Sequence, residues 1–286
     1  MKFAPFDYIR ARSLAEVFDL IEQADSDARI LAGGQSLLAT LALRLSEPSL
    51  LIDIGGLEEL RFVEERGEAI HIGALTRHCE LESSTLVAAR LPLISQAMPH
   101  VAHPAIRNRG TIGGSLSLAD PAAELPACML ALDATLILAS RSGERRVPAD
   151  EFFKGFYQTD IRPGELLVRV EITPKDAAWR FHFSEFSRRR GDYAMAGLAA
   201  AGRRAADRIE QLRLVFLGCG DRPVRARAAE IVGVRSQLQQ GGERYSALRK
   251  ALEQDLDPQS DPHASSATRL HLAAVLADRA LAFLTS

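Results

Sequence analysis

The amino-acid sequence predicts an α+β protein of two domains that meet near residue 176. Up to residue 172, short apolar runs of strand length alternate with stretches of helical apolar spacing. Residues 173–176, Thr-Pro-Lys-Asp, join a proline to turn formers without any apolar period, which is linker composition. Beyond them, runs at 179–186, 195–201 and 209–217 have strand character and precede a helical remainder, the order of an antiparallel sheet with helices added. With 286 residues, 47% hydrophobic and 25% charged, the chain is long enough for one large or two modest cores.

Taken in order, Ser13 followed by Glu16 is a capping-box signature, and Leu14, Val17, Phe18 and Ile21 recur at helical spacing, which predicts a helix to about Ala24. Apolar runs at 30–32 and 50–54 bracket a helical stretch at 37–45, a strand, helix, strand unit. Strands are predicted at 69–74, 135–140 and 166–172, interrupted by helices at 91–101 and 121–132. Asp120 before Pro121 reads as an N-cap followed by proline at the first helical position. Residues 237–264, rich in Gln, Gly, Asp and Pro, predict one exposed helix and a loose loop. The closing helix, 265–284, carries Leu270, Ala273, Leu276, Ala277, Ala280 and Leu284 on one face.

Several function classes are disfavoured. A formal net charge of -2 and a pI near 6.4 give no pull toward nucleic acid or an anionic membrane. No run reaches the roughly 18 apolar residues of a membrane span, and the N-terminus lacks an apolar signal core, so a cytoplasmic chain is expected. Cys79, Cys128 and Cys219 are scattered, which predicts neither a disulfide framework nor a cluster or metal ligand set. His100 and His103 alone approach ligand spacing; with Pro104 following, they read as a helix C-terminal feature. No GxSxG elbow is present. Arg188, Arg189 and Arg190 read as a solvated face or a docking patch.

Two glycine-paired loops carry the chemistry. AGGQSLL at 32–38 follows a strand and opens a helix; TIGGSL at 111–116 follows Arg-Asn-Arg-Gly. Paired glycines let consecutive backbone N–H groups converge on an anion, and a helix start adds its positive end. Both loops together are expected to grip one diphosphate, with the hydroxyls of Ser36, Thr111 and Ser115 as additional donors. The dinucleotide GxGxxG and the P-loop GxxxxGK[ST] are both missing, and Gly218-Cys219-Gly220 is read as a turn.

AGGQSLL at 32–38, RNRGTIGGSL at 107–116, ADPAAELP at 119–126 and RRGDYA at 189–194 occur in one order. Together they resemble the FAD-binding medium subunit of the carbon monoxide dehydrogenase and xanthine dehydrogenase (molybdenum hydroxylase) family. The resemblance runs from Phe6-Asp7-Tyr8 to PVRA at 223–226. It implies a two-lobed FAD-binding domain of the vanillyl-alcohol-oxidase type at 1–176, with lobes of about 1–56 and 57–176, then a C-terminal α+β domain at 177–286. It further implies that Ala32, Gly33, Gly34, Gln35, Ser36 and Leu37, with Thr111, Ile112, Gly113, Gly114 and Ser115, wrap the pyrophosphate and ribityl region. Asp120 and Glu124 would lie near the sugar end, Leu167 against the flavin or adenine, and Tyr193 by the isoalloxazine ring.

The same resemblance implies non-covalent FAD, since Gln35 stands where flavin-linking relatives of the fold carry histidine, and no catalytic residue of the chain's own. The partners it implies are a small [2Fe-2S] subunit and a large molybdopterin subunit in a dimer of heterotrimers. Two departures stand out: Leu118 replaces a residue that is often polar, and Phe183-Ser184-Glu185 occupies a strand where relatives tend to have lysine. No cysteine-rich insertion is present, which disfavours the 4-hydroxybenzoyl-CoA reductase branch. The alternatives are a self-sufficient FAD-dependent oxidoreductase of the same fold and a scaffold that has lost flavin.

Overall fold

The computed structural model describes residues 3–24, 27–205, 208–235 and 242–286. A small parallel sheet begins the chain: β1 (Asp7–Arg10), β2 (Ala28–Leu31) and β3 (Leu50–Asp53) in the order β1-β3-β2, linked through α1 (Leu14–Gln23) and α2 (Leu37–Ala42). Ser13 caps α1 by accepting from the Glu16 N–H at 3.2 Å, while the Glu16 carboxylate reaches back to the Arg12 N–H. Strand β1 is absent from the sequence expectation because Asp-Tyr-Ile-Arg is an edge strand with almost nothing buried.

The second lobe is a wholly antiparallel sheet. Its strands are β4 (Val63–Arg66), β5 (Ala69–Gly73), β6 (Thr135–Ser140), β7 (Gly143–Pro148) and, after the small hairpin β8 (Phe153–Gly155) and β9 (Gln158–Thr159), β10 (Leu166–Ile172), in the order β4-β5-β10-β6-β7. One face, with Ile137, Ala139, Leu166 and Val168, packs on Val17, Phe18, Ile52 and Ile54 of the first lobe. The other, with Ile70, Ile72, Leu136, Leu138, Val170 and Ile172, packs on helices. A register shift between Leu167 and Arg169 reverses which parity of β10 faces the helices.

Those helices are α3 (His78–Ser83), α4 (Thr85–Arg90), α5 (Pro92–Ala97), α6 (Pro104–Arg107), α7 (Ile112–Leu118), α8 (Glu124–Ala131) and the short α9 (Ala149–Phe152). The predicted helix at 121–132 starts three residues late, and Asp120 does not cap it. Ala119 ends α7 in the left-handed region, at φ 54°, and Asp120 Oδ1 accepts from the Ala122 N–H at 2.9 Å. The local side-chain turn outcompetes helix nucleation, so Ala123 becomes the N-cap. The predicted helix at 91–101 is likewise divided, α5 passing into a 3-10 turn at Met98–His100.

A third sheet, β11 (Trp179–Phe186), β12 (Ala196–Ala205), β13 (Arg208–Leu217) and β14 (Val224–Arg225), is antiparallel in chain order. Phe183, Ala199, Val215 and Leu217 join the core of the second lobe, which is therefore continuous across residue 176. Leu198, Ala200, Leu214 and Phe216 face the other way, onto α10 (Arg227–Arg235), α11 (Gly242–Asp255) and α12 (Ser266–Thr285). Ser265 caps α12, and its predicted apolar face is buried. Within the 237–264 stretch, residues 237–241 lie outside the described residues. The helix there is not simply exposed: α11 buries Leu248, Ala251 and Leu252, and its Arg244 pairs with Asp278 of α12 at 2.5 Å. Its apolar residues are few, but they lie on one side.

Candidate functional site

Where the three sheets approach one another, they enclose an open cavity of about 700 Å³. Its wall includes Ala32, Gly33, Gly34, Gln35, Ser36 and Leu37 from the first lobe, and Thr111, Gly113, Gly114 and Ser115 from the second. Asp120, Glu124, Leu167 and, from the connection between β11 and β12, Tyr193 complete the predicted set. Ile112 alone lies outside the wall: its side chain is fully buried in the core below α7.

The two glycine loops touch. A Cβ on Gly33 would lie 2.2 Å from the Arg109 carbonyl oxygen and 2.9 Å from Gly110 Cα. Only a glycine lets the first loop close on the second. Gly34 lies at φ 73°, the left-handed region. In this loop the backbone N–H groups of Gly33, Gly34, Gln35 and Ser36 donate to no acceptor among the described residues, and the Gln35 amide clips back onto the Gly33 carbonyl at 3.0 Å. They are free to receive an anion.

The second loop does not repeat this arrangement. The Ile112 N–H donates to Thr76 O at 3.0 Å, Gly113 to Ala74 O at 2.8 Å, Gly114 to the Thr111 hydroxyl at 3.1 Å and Ser115 to Thr111 O at 3.0 Å. The expectation that both glycine pairs offer converging amides is therefore corrected. Gly113 serves close packing, since a Cβ there would fall 2.6 Å from Ala74 Cβ, and that approach brings its backbone into bonding range of the end of β5. What this loop presents to the cavity is the open surface at Gly114 and the hydroxyls of Thr111 and Ser115.

Two carboxyls share the wall. Burial raises Asp120 above its usual range, while its Oδ2 accepts from the Tyr157 hydroxyl at 3.4 Å. Burial pushes Glu124 up to about 8, helped by the negative charges of Glu185 and Asp120. Tyr157 was not singled out by sequence; it occupies the turn between β8 and β9 at φ 53°, and burial and then Asp120 raise its phenol. Such acid and base groups were not visible along the chain, because the pairing is spatial and the shifts come from desolvation. Tyr193 is 74% exposed, so it is not a core aromatic, and Gly191 before it packs at φ 87° against the His103 ring.

A pH dependence follows from Glu124. With a folded pKa above the ordinary 4.5, the folded chain holds more protons than the unfolded chain between about pH 4.5 and 8. Stability conferred by the protonated carboxyl is present below that window and is lost as pH rises through it, with a limiting slope of about 1.4 kcal/mol per pH unit. Glu124 is only partly covered as a residue, and cavity water reduces the slope. The unfolding midpoint of the flavin-free chain should fall between pH 5 and 8, and Glu124→Gln should flatten that fall. Parallel curves for the two proteins would refute the assignment.

Other residues emerge only in three dimensions. His78 lines the cavity, buried. Glu185, with a side chain 3% exposed, sits 3.4 Å from the His100 ring, and its Oε2 has no hydrogen-bond partner among the described residues; both residues line a second cavity of about 350 Å³ with Ser187 and Arg190. His100 is therefore more than the helix-terminal feature its spacing suggested. Leu118 contributes an apolar patch of the main cavity wall.

This geometry suits a large diphosphate cofactor: free amides on one loop, hydroxyls on the other, and a volume within the range of small-molecule sites. Residues 4–175 match the family described as FAD binding domain in molybdopterin dehydrogenase, and residues 181–284 match the CO dehydrogenase flavoprotein C-terminal domain. The chain is 40% identical over 283 residues to the 6-hydroxypseudooxynicotine dehydrogenase complex subunit alpha of Paenarthrobacter nicotinovorans, covering 99% of this chain and 95% of the relative. It is 37% identical to the glyceraldehyde dehydrogenase medium chain of Sulfolobus acidocaldarius, covering 96% of each. It superposes on a chain of carbon monoxide dehydrogenase from Hydrogenophaga pseudoflava with a TM-score of 0.94 at 34% identity, covering 99% of this chain and 98% of that one. The chain belongs to the family of FAD-binding medium subunits of carbon monoxide dehydrogenase-like molybdenum hydroxylases, and is an oxidoreductase flavoprotein subunit.

Proposed function

We propose that this chain holds FAD non-covalently in the shared cavity and relays electrons from a small [2Fe-2S] subunit, fed by a large molybdopterin subunit, to an external acceptor. The observation that carries this reading is the cavity itself, which joins an anion-ready loop to an exposed tyrosine at residue 193. Bound FAD supplies the redox chemistry; the chain supplies position, exclusion of water and local charge. In this reading the amides of Gly33, Gly34, Gln35 and Ser36 take the pyrophosphate, with Thr111 and Ser115 donating hydroxyls across the cavity. Asp120 and Glu124 bind near the sugar end, Leu167 packs against a ring, and Tyr193 covers the isoalloxazine edge toward the iron-sulfur partner. Residues 1–176 and 177–286 act as FAD-binding and C-terminal domains of a cytoplasmic complex, a dimer of heterotrimers.

Arg188, Arg189 and Arg190 are all exposed beside Tyr193, and in this reading they form the docking patch for the iron-sulfur partner. A second reading, a self-sufficient FAD-dependent oxidoreductase, is favoured by one observation: Asp120, Glu124 and Tyr157 put proton-exchanging groups in the same cavity. One measurement decides between them. The chain purified alone and loaded with FAD should turn over no substrate with an artificial acceptor, and substrate should reduce its flavin only when the iron-sulfur and molybdenum subunits are added. Substrate-specific turnover by the lone chain would overturn the relay and promote the second reading.

A further inference from the structure

The hairpin of β8 and β9 turns at the wall of the main cavity. Gly155 pairs with Gln158, so Phe156 and Tyr157 alone make the connection. Tyr157, the second of the two, has φ 53°, the left-handed region, and a turn that needs positive φ at that place favours glycine or asparagine. A tyrosine there is strained, and residues held in such backbone conformations gather at ligand clamps and active sites. Of the two connecting residues, the strained one lines the cavity; Phe156 is not part of the wall.

Little in the flavin-free chain offsets that strain. Tyr157 is 59% exposed, so its ring is not held by packing in a core. Among the described residues its hydroxyl has one partner, the buried Asp120, whose Oδ2 accepts from it at a long 3.4 Å. The other oxygen, Asp120 Oδ1, accepts from the Ala122 N–H at 2.9 Å, which fixes the carboxyl in place. A fixed group of the wall therefore directs the phenol, and the side chain stays open to the cavity. Tyr193, also exposed, lines the same cavity. Burial and Asp120 raise the Tyr157 phenol, and Tyr193 is close enough to add to the rise. Two neighbouring exposed phenols offer flat apolar faces to a planar ring system.

We propose that Tyr157 is a cofactor-contact residue, its ring held by Asp120 so that it packs on the isoalloxazine end of bound FAD beside Tyr193. The inference rests on the reading of the cavity as the FAD site with Tyr193 at the isoalloxazine ring. The strained backbone serves that contact and not the fold of the hairpin.

FAD titration into the full, flavin-free chain, with unfolding midpoints and visible spectra recorded in parallel, tests the assignment. Tyr157→Gly removes the ring and suits the backbone. It should raise the flavin-free midpoint by about 2–4 °C, yet weaken FAD roughly three- to tenfold and shift the visible band of the bound flavin. Tyr157→Phe keeps the ring and loses only the hydroxyl, so its affinity should stay within about threefold of the unmutated chain. Equal FAD affinity and an unmoved band in Tyr157→Gly would overturn the proposal, and a lowered midpoint would then make Tyr157 a residue of the hairpin fold. A band that stays in place while affinity falls would overturn it as well, since the loss would come from the loop and not from ring contact. If the unmutated chain takes up no FAD, the reading of the cavity fails and this assignment with it; failure of the assignment alone leaves FAD bound by the unmutated chain.

Discussion

Gly33→Ala should cost the chain at least about a hundredfold in FAD affinity, more than any other single-methyl change in the glycine loops. The added Cβ would meet the Arg109 carbonyl oxygen at 2.2 Å and Gly110 Cα at 2.9 Å, both backbone atoms that cannot rotate away. Overpacking of this kind costs about 1–3 kcal/mol, and here it is relieved by separating the two loops that together form the cavity. Displacement of the four free amides then removes the anion grip itself, so the binding loss exceeds the strain. Gly34→Ala should be milder, because its cost is that of left-handed backbone, about 1–2 kcal/mol, with only the flexible Leu31 and Leu38 side chains nearby. Gly114→Ala should be mildest, since its Cβ would meet only the Thr111 hydroxyl, at 3.0 Å. By motif alone Gly34 and Gly114 are equivalent. Flavin fluorescence titration of the three variants checks the order, and near-normal affinity for Gly33→Ala would show that the loops need not touch.

Arg107→Ala should lower the unfolding midpoint by roughly 5–15 °C. The side chain is 8% exposed and makes a two-pronged pair with Glu82, at 2.8 and 3.1 Å, while Nη1 donates to Val101 O at 3.0 Å and Ala102 O at 3.3 Å. Truncation leaves a carboxylate and two carbonyls without their donor. Breaking a buried pair costs about 3–5 kcal/mol; with Glu82 one-third exposed, a cost of about 2–4 kcal/mol is expected here. At about 2–4 °C per kcal/mol for a chain of this size, that gives the stated range. Arg107→Lys should rescue little, because a single ammonium cannot span the carboxylate and the carbonyls in a planar fork. FAD affinity should fall with stability, since Arg107 anchors the segment leading to Gly110 and Thr111. Calorimetry on the flavin-free chain checks this, and a change under about 2 °C would mean that the network is incidental.

Much of this protein is legible along the chain. Residues 135–140 and 166–172 are strands at the predicted bounds, and the apolar face of 265–284 is the buried face of α12, because strand and helix periods are local properties of side-chain order. Residues of the two glycine loops and Tyr193, with Asp120, Glu124 and Leu167, line one cavity. Strands β4 and β7 were missed because Val-Glu-Glu-Arg and Gly-Glu-Arg-Arg-Val-Pro are polar edges whose pairing comes from their neighbours.

The tertiary structure decided what each similar-looking residue does. One glycine pair keeps its amides free and the other spends them on Ala74 and Thr111, a choice made by which backbone lies opposite each loop. Asp120 and Glu124 acquire raised pKa values from desolvation, and burial pushes the His78 imidazole down to about 4. Local sequence determines turn chemistry and periodicity, because these depend on residues within a few positions. Burial, hydrogen-bond partnership and charge state depend on groups tens of residues away, and only the folded chain brings those together.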